Sequence, residues 1–209
     1  MEYYVLIKGV HEIKPVNKED IASMRVAPIC CNVVLLKGEQ NIIVDTGYHS
    51  FGKELVKKLE EHGLKPADIH TVINTHLHFD HIGNNHLFGN SKWVINRGIW
   101  YPDSRVDVYE NIEDIKIPEV ELIDTPGHLE GHTSVVFSCD GKTIVVAGDA
   151  VNDYNIINPD LDIESYQKRP GVKESMKKIF LIADVIIPGH GDIIEEDRLR
   201  ELKKIVDSW

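Results

Sequence analysis

The segment TVINTHLHFDHIGNN carries, within six consecutive positions, four side chains that can bind metal ions: His76, His78, Asp80 and His81. Neutral imidazole and carboxylate are ligands that suit Zn, Fe or Mn, and no cysteine is needed beside them. On an extended chain, the spacing of His76 and His78 turns both rings to the same side. Asp80 and His81 lie past the following turn and reach a second point in space. One cation would not need so dense a set, so the segment indicates two cations a few ångströms apart.

In three further segments, an apolar strand is followed by a turn of small residues and then by a side chain that can bind a metal ion. They are DTPGHLEGHTS at 124–134 with His128, VVAGDAV at 145–151 with Asp149, and VIIPGHGD at 185–192 with His190. Strand ends hold side chains in fixed positions, so these three residues are candidates to complete the cluster.

The motifs IIVDTG, THLHFDH, TPGH, AGD and PGHG occur in the order of five motifs of the metallo-β-lactamase superfamily. The sequence resembles this superfamily over residues 43–191. The resemblance implies an α/β fold, namely an αββα four-layer sandwich with a binuclear metal site at one edge. We expect one such domain to span residues 1–209.

The resemblance also implies roles for individual residues. One metal would be held by His76, His78 and His128, the other by Asp80, His81 and His190, with Asp149 bridging both. Asp80 and Asp149 are the residues expected to act in catalysis. Asp45 would lie outside the metal ligands and orient them through hydrogen bonds. His132 is expected either to support the ligands in the same way or to contact the substrate. The implied cofactors are two divalent metal ions, with Zn expected first and Fe or Mn as alternatives.

Residues just beyond Asp149 are candidates for substrate contact. The small lactonases of the superfamily, which THLHFDH most resembles, tend to carry a tyrosine three residues after the bridging aspartate. Here that position is Asn152, and Tyr154 follows two residues later. Both are named as possible substrate contacts. The remaining histidines, which are scattered singly, are predicted to be solvated or core residues: His11, His49, His62, His70 and His86.

The expected function is hydrolysis by a water molecule that two cations activate. An ester, lactone, thioester or phosphodiester bond is open as the target. A serine hydrolase is excluded, because no Gly-x-Ser-x-Gly elbow occurs. Two alternatives within the same superfamily remain: an enzyme like the persulfide dioxygenases, which use a single iron, and a small nuclease or phosphodiesterase.

Composition limits the partners. The 23 Lys and Arg residues against 34 Asp and Glu give a net charge of −11, which counts against long nucleic acids. No apolar run reaches the roughly 18 residues of a membrane span, and the first residues do not resemble a signal peptide, so we expect a cytoplasmic protein. Three cysteines form no disulfide framework. A small-molecule substrate is the expected partner, and a homo-oligomer is possible.

Alternating apolar runs and polar turns predict the strands that must position these side chains. The predicted strands are Tyr3–Lys8, Cys30–Leu36, Asn41–Asp45, Thr71–Asn74, Trp93–Asn96, Val120–Asp124, Thr133–Cys139, Lys142–Ala147 and Asp184–Ile187. Apolar spacing of three or four residues predicts helices over 51–62, around 172–180 and around 199–206. Two polar stretches, 9–28 and 148–170, are predicted to be irregular loops that carry or cover the site.

Overall fold

The computed structural model describes residues 1–17, 20–151 and 168–209. Its strands, in chain order, are β1 (Glu2–Ile7), β2 (Val10–Asn17), β3 (Asp20–Cys30), β4 (Val33–Lys37), β5 (Asn41–Val44), β6 (Thr71–Asn74), β7 (Lys92–Ile95), β8 (Gly98–Trp100), β9 (Val106–Val108), β10 (Val120–Asp124), β11 (Thr133–Cys139), β12 (Lys142–Gly148), β13 (Val185–Pro188) and β14 (Ile194–Glu195). The helices are α1 (Gly52–Glu61), α2 (Phe79–Ile82), α3 (Val172–Ile182) and α4 (Glu196–Asp207), with short 3-10 helices at His49–Phe51, Pro66–Asp68, Asn85–Phe88 and Ile112–Asp114.

Two sheets make up the centre of the fold. The first has seven strands in the order β1-β4-β5-β6-β7-β8-β9, in which β5, β6 and β7 run parallel. The second has five strands in the order β10-β11-β12-β13-β14, in which β12 and β13 run parallel. Since parallel neighbours end at the same edge of a sheet, the loops after β5 and β6 lie together, as do the loops after β12 and β13.

Both faces of the central strands are buried, which explains their continuous apolar runs. On β12, Val146 faces the layer between the two sheets, whereas its neighbour Val145 faces the helices. On β5, Val44 faces the layer between the sheets and Ile43 faces α1. Helix α1 covers the first sheet, while α3 and α4 cover the second. The order helix, sheet, sheet, helix confirms the predicted αββα sandwich.

The predicted irregular stretch 9–28 is wrong. Strands β2 and β3 form an antiparallel hairpin there, with Val10 paired to Cys30 and His11 paired to Ile29. The strand predicted at Cys30–Leu36 is also wrong at its start, because β3 ends at Cys30 and β4 begins at Val33. The break is at Cys31 and Asn32, where the Asn32 side chain bonds to main-chain groups of other segments instead of a neighbouring strand.

The predicted helices match α1, α3 and α4, while the one-turn helix α2 and the short strands β8 and β9 were not predicted. Of the second predicted loop, residues 152–167 lie outside the described part of the chain. Among the described residues, no helix combines the length and the apolar character that crossing a bilayer requires.

Adjacent residues of α3 allow a matched test of the packing of the second sheet. Phe180 is 1% exposed in the layer beneath the helix, and Leu181 is 75% exposed. We expect Phe180→Ala to lower the free energy of unfolding by about 3–5 kcal/mol, because it removes buried apolar surface and leaves a cavity. Leu181→Ala should stay within about 0.5 kcal/mol of the parent protein. Denaturant unfolding measures both, and equal effects would contradict this packing.

Candidate metal centre

The side chains selected from the sequence lie together at the edge where the parallel strands end. Asp45 follows β5 directly, and His76 comes two residues after β6. Asp149 follows β12 directly, and His190 comes two residues after β13. His128 lies in the loop between β10 and β11. The first four side chains are therefore positioned by the strand that precedes each of them.

The first group consists of three imidazoles and a carboxylate. His78 Nδ1 lies 3.0 Å from His76 Nε2 and 2.9 Å from His128 Nε2. His128 Nε2 lies 3.3 Å from Asp149 Oδ2. One ligand atom from each of these four residues falls within 4.8 Å of all the others. This spacing is that of donors around a single cation.

The second group lies on the other side of Asp149. His81 Nε2 is 3.6 Å from Asp80 Oδ2 and 3.4 Å from Asp149 Oδ1. His190 Nε2 is 3.4 Å from each of the same two carboxylate oxygens. Asp149 thus turns Oδ2 toward the first group and Oδ1 toward the second, and the two groups share it.

Asp45 lies behind His81. Its Oδ2 accepts hydrogen bonds from His81 Nδ1 and from the Thr75 hydroxyl, each at 2.8 Å. Its Oδ1 accepts the Thr75 backbone N–H, also at 2.8 Å. Because His81 donates through Nδ1, its Nε2 faces the second group, as for a histidine that an outer carboxylate orients toward a metal.

His190 is oriented from its main-chain surroundings. Its Nδ1 donates to the carbonyl of Cys30 at 2.9 Å, which leaves Nε2 facing the two carboxylates. The buried Asn32 holds the loop that carries His190. Its backbone N–H donates to Gly189 O at 2.7 Å, and its side-chain amide donates to Pro188 O at 2.7 Å and to Gly191 O at 3.2 Å.

His132 is buried behind the first group and is not among the residues that line the cleft. Its ring stacks on His76 with 5.1 Å between ring centroids, and its Nδ1 lies 2.9 Å from the Thr125 hydroxyl. Burial lowers the pKa of His132 to about 3, so the ring is neutral. This placement suits support of His76. Asn152 and Tyr154, the predicted substrate contacts, lie outside the described residues.

A cleft of about 400 Å³ opens onto the two groups. Its lining residues are His11, Ile29, Tyr48, His78, Phe79, Asp80, His128, Asp149 and His190. The volume is within the range of small-molecule sites. Ile29, Tyr48 and the largely exposed Phe79 give the cleft an apolar wall beside the polar floor.

The charges at the floor fit a cation. Burial, together with His81, lowers the pKa of His76 far below its ordinary value, and burial lowers that of His128 to about 4. Both rings are therefore neutral and present lone pairs, which is the form that binds metal. Burial disfavours the Asp149 carboxylate, but His190 and His81 outweigh it and hold the pKa of Asp149 well below its usual range. Converging lone pairs beside a buried carboxylate repel one another unless a positive charge lies among them.

In the protein without a bound cation, a protonated His81 balances the negative charge of the neighbouring carboxylates. Burial opposes its protonation, but the Asp45 and Asp149 carboxylates outweigh burial and hold the pKa of His81 well above its ordinary value. Its Nε2 is buried and has no hydrogen-bond partner within the described part of the chain. An imidazole nitrogen in that position is suited to coordinate a cation, which would then supply the positive charge.

Cys31 lies on the far side of His81. One ligand-type atom from each of Cys31, Asp45 and His81 falls within 4.8 Å of the others, and all three residues are buried. The 2.8 Å contact from His81 Nδ1 to Asp45 is a hydrogen bond, so these three residues form a support behind His81. Burial raises the pKa of Cys31 to about 12, which keeps the thiol protonated.

The sequence interpretation did not identify three of these residues. His11 had been assigned to the solvated or core histidines, yet it lines the cleft and stacks on His190 with 4.8 Å between ring centroids. Thr75 and Asn32 act through hydrogen bonds to other segments. Thr75 adjoins His76 and could have been suspected for that reason, whereas nothing in the local sequence marks His11 or Asn32.

Comparisons with known proteins place the chain among relatives of one kind. The family model described as the metallo-beta-lactamase superfamily matches residues 28–100 and 92–198. The Methanocaldococcus jannaschii protein named "Probable metallo-hydrolase" is 36% identical over 163 residues, which are 76% of this chain and 74% of that protein. Human metallo-beta-lactamase domain-containing protein 1 is 34% identical over 160 residues, 72% of this chain and 58% of its own length. An N-acyl homoserine lactonase of Bacillus cereus is 30% identical over 106 residues, 44% of this chain and 42% of the lactonase.

Solved structures agree with this fold. A Thermotoga maritima protein named for the metallo-beta-lactamases superposes with a TM-score of 0.67 at 21% identity, covering 93% of this chain and 99% of that one. A subclass B3 metallo-beta-lactamase from a soil metagenome library gives a TM-score of 0.60 at 18% identity, with 86% and 87% covered. At such identities the likeness concerns the fold alone.

The support given by Asn32 can be tested without metal or substrate. Asn32→Ala leaves the Gly9 N–H and the Pro188 carbonyl without the bonds that Asn32 provides, at 2.7 Å each. We expect the free energy of unfolding of the chelator-treated protein to fall by about 2–4 kcal/mol. The control is Asn111→Ala, since Asn111 is exposed and its side chain donates to the nearby Asp114 side chain, while its backbone contact to Asp114 is kept in the variant. If both variants unfold at the same denaturant concentration, the Asn32 side chain does not stabilise the loop that carries His190.

Proposed function

We propose the function of this chain from one premise: it belongs to the metallo-β-lactamase superfamily, as the family-model match and the relative at 36% identity show. The chain is a metal-dependent hydrolase of that superfamily with candidate metal-binding residues. The finer proposal is a hydrolase with two divalent cations, Zn before Fe or Mn, acting on an ester, lactone, thioester or phosphodiester bond.

One observation carries the two-metal proposal. Asp149 directs Oδ2 to the group containing His128, at 3.3 Å, and Oδ1 to the group containing His81 and His190, at 3.4 Å from each. A carboxylate that a single cation used would not need imidazoles on both sides. The division of its two oxygens supports a bridging role.

The residues then have separate tasks. The first cation would be held by His76, His78, His128 and Asp149, and the second by Asp80, His81, His190 and Asp149. When bound, two such cations lower the pKa of a water molecule and polarise the bond to be cleaved. We assign Asp80, which also lines the cleft, to accept the proton of the attacking water. Asp45 and the carbonyl of Cys30 keep the rings of His81 and His190 in the tautomer that faces the cations.

The cleft favours a small substrate with an apolar part. Its volume of about 400 Å³ and its wall of Ile29, Tyr48 and Phe79 suit an acyl or aryl group. The net charge of −11 disfavours a polyanion. The relative named as an N-acyl homoserine lactonase makes lactones a good first choice among the four bond classes.

Metal content is the direct test of the proposal. Protein purified without added metal or chelator should hold about two Zn or Mn ions per chain by mass spectrometry. Removal by a chelator should abolish hydrolysis of whichever ester, lactone, thioester or phosphodiester the parent protein cleaves, and added divalent metal should restore it. About one iron per chain, with oxygen uptake on a persulfide substrate, would replace this proposal with the dioxygenase alternative.

Asp149→Ala tests the bridging assignment. We expect loss of both metals and a fall in turnover of more than about 100-fold, because removing even an outer partner of a ligand costs 10- to 100-fold. His86→Ala is the matched control, since His86 is an exposed histidine that does not line the cleft. Full metal content in the Asp149 variant would show that the carboxylate does not bridge.

A further inference from the structure

The hairpin of β2 and β3 places a polar side chain, His11, in the cleft, and this residue is not among the proposed metal ligands. His11 on β2 pairs with Ile29 on β3, and both line the cleft beside Asp80, Asp149 and His190. The His11 ring is half-buried and lies nearly parallel to the His190 ring, at an interplanar angle of 26° and a centroid distance of 4.8 Å. It therefore adjoins the second group of ligands.

The start of β2 is fixed relative to the loop that carries His190. The Gly9 N–H donates to Asn32 Oδ1 at 2.7 Å, and the Gly191 N–H donates to Gly9 O at 3.1 Å. The backbones pack so closely that a Cβ on Gly9 would lie 2.6 Å from Asn32 N and 2.8 Å from Gly189 O. His11 is two residues from this anchor, so its position follows that of His190.

The cleft has few polar groups beyond the proposed ligands. Of its lining residues, His78, Asp80, His128, Asp149 and His190 would be engaged with cations. Ile29 and Phe79 have no polar side-chain atoms. The polar groups that remain in the described lining are the His11 imidazole and the Tyr48 hydroxyl, and His11 is the one stacked on a ligand.

We infer that His11 is a substrate-contacting residue, whose ring N–H donates a hydrogen bond to an oxygen of the bound substrate on the Asp80 and His190 side of the cleft. The inference rests on the proposed function, because a substrate held over the cations is what brings an oxygen within reach of this ring. It extends that function by assigning recognition of the substrate to the β2–β3 hairpin as well as to the metal ligands.

Two substitutions separate contact with substrate from support of His190. His11→Phe retains a flat ring that can stack on His190 but removes both ring nitrogens. His11→Gln loses the ring but retains an N–H donor of similar reach. His86→Ala is the control, as an exposed histidine away from the cleft. Metal content, measured on each protein, shows whether the centre is intact.

Inorganic phosphate serves as the probe, because its oxygens bind metal and accept hydrogen bonds. We would load each protein with cobalt(II) and follow phosphate binding by the visible spectrum. His11→Phe should bind phosphate about tenfold more weakly with unchanged metal content, as expected for one lost hydrogen bond to an anion. His11→Gln should stay within about threefold of the parent protein, and His86→Ala should not differ from it.

Two outcomes would overturn the inference. If His11→Phe binds phosphate as the parent protein does, the ring acts through stacking alone. If His11→Phe and His11→Gln both lose metal, His11 supports the centre and does not contact substrate. Failure of the proposed function is distinguishable: the parent protein would then hydrolyse nothing on the substrate panel, while the weaker phosphate binding of His11→Phe would still stand.

Discussion

Burial of carboxylates at the sheet edge is the constraint on which this structure depends. Asp45, Asp80 and Asp149 are 1%, 7% and 6% exposed. A carboxylate that leaves water is tolerated only where donors or positive charge replace its hydration. Asp45 receives three hydrogen bonds from Thr75 and His81, whereas Asp80 and Asp149 face the imidazoles of His81 and His190 at distances of 3.4–3.6 Å. A bound cation would supply the positive charge that these two carboxylates need, and the fold has to bring the candidate ligands to one place.

The two sheets achieve this through contacts between main-chain segments. Gly148, at the end of β12, has a φ of +52°, and a Cβ there would lie 2.7 Å from Thr75 Cβ. The absence of a side chain lets the end of the second sheet touch the end of the first. The Gly189 N–H then donates to Gly148 O at 2.8 Å, which ties β13 to β12. Backbone packing thus sets the position of Asp149 and, together with the bonds from the Asn32 side chain, the position of His190.

The grouping of these side chains could be predicted from the sequence because most of them follow β6, β12 or β13, strands that are largely buried on both faces. Such strands are recognisable locally, and Asp149 and His190 end two of them. The β2–β3 hairpin was missed because residues 9–28 are polar and include Pro15 and Pro28, so no regular alternation marks them. Its place in the fold depends on bonds from Asn32 to distant segments. A single histidine such as His11 has no local pattern to distinguish a cleft residue from a surface one.

Asp45 combines two demands that few residue types meet. Its φ of 57° lies in the left-handed region, which costs most residues on the order of 1–2 kcal/mol but is better tolerated by Asp and Asn. The backbone N–H of Asp45 donates to Ile73 O at 2.8 Å, which fixes this residue against the end of β6. In this conformation the short side chain of Asp45 reaches both His81 and Thr75, whereas a longer side chain would have to fold back on itself. The three hydrogen bonds to that carboxylate offset the backbone strain, so the same contacts that orient His81 also hold the left-handed backbone after β5.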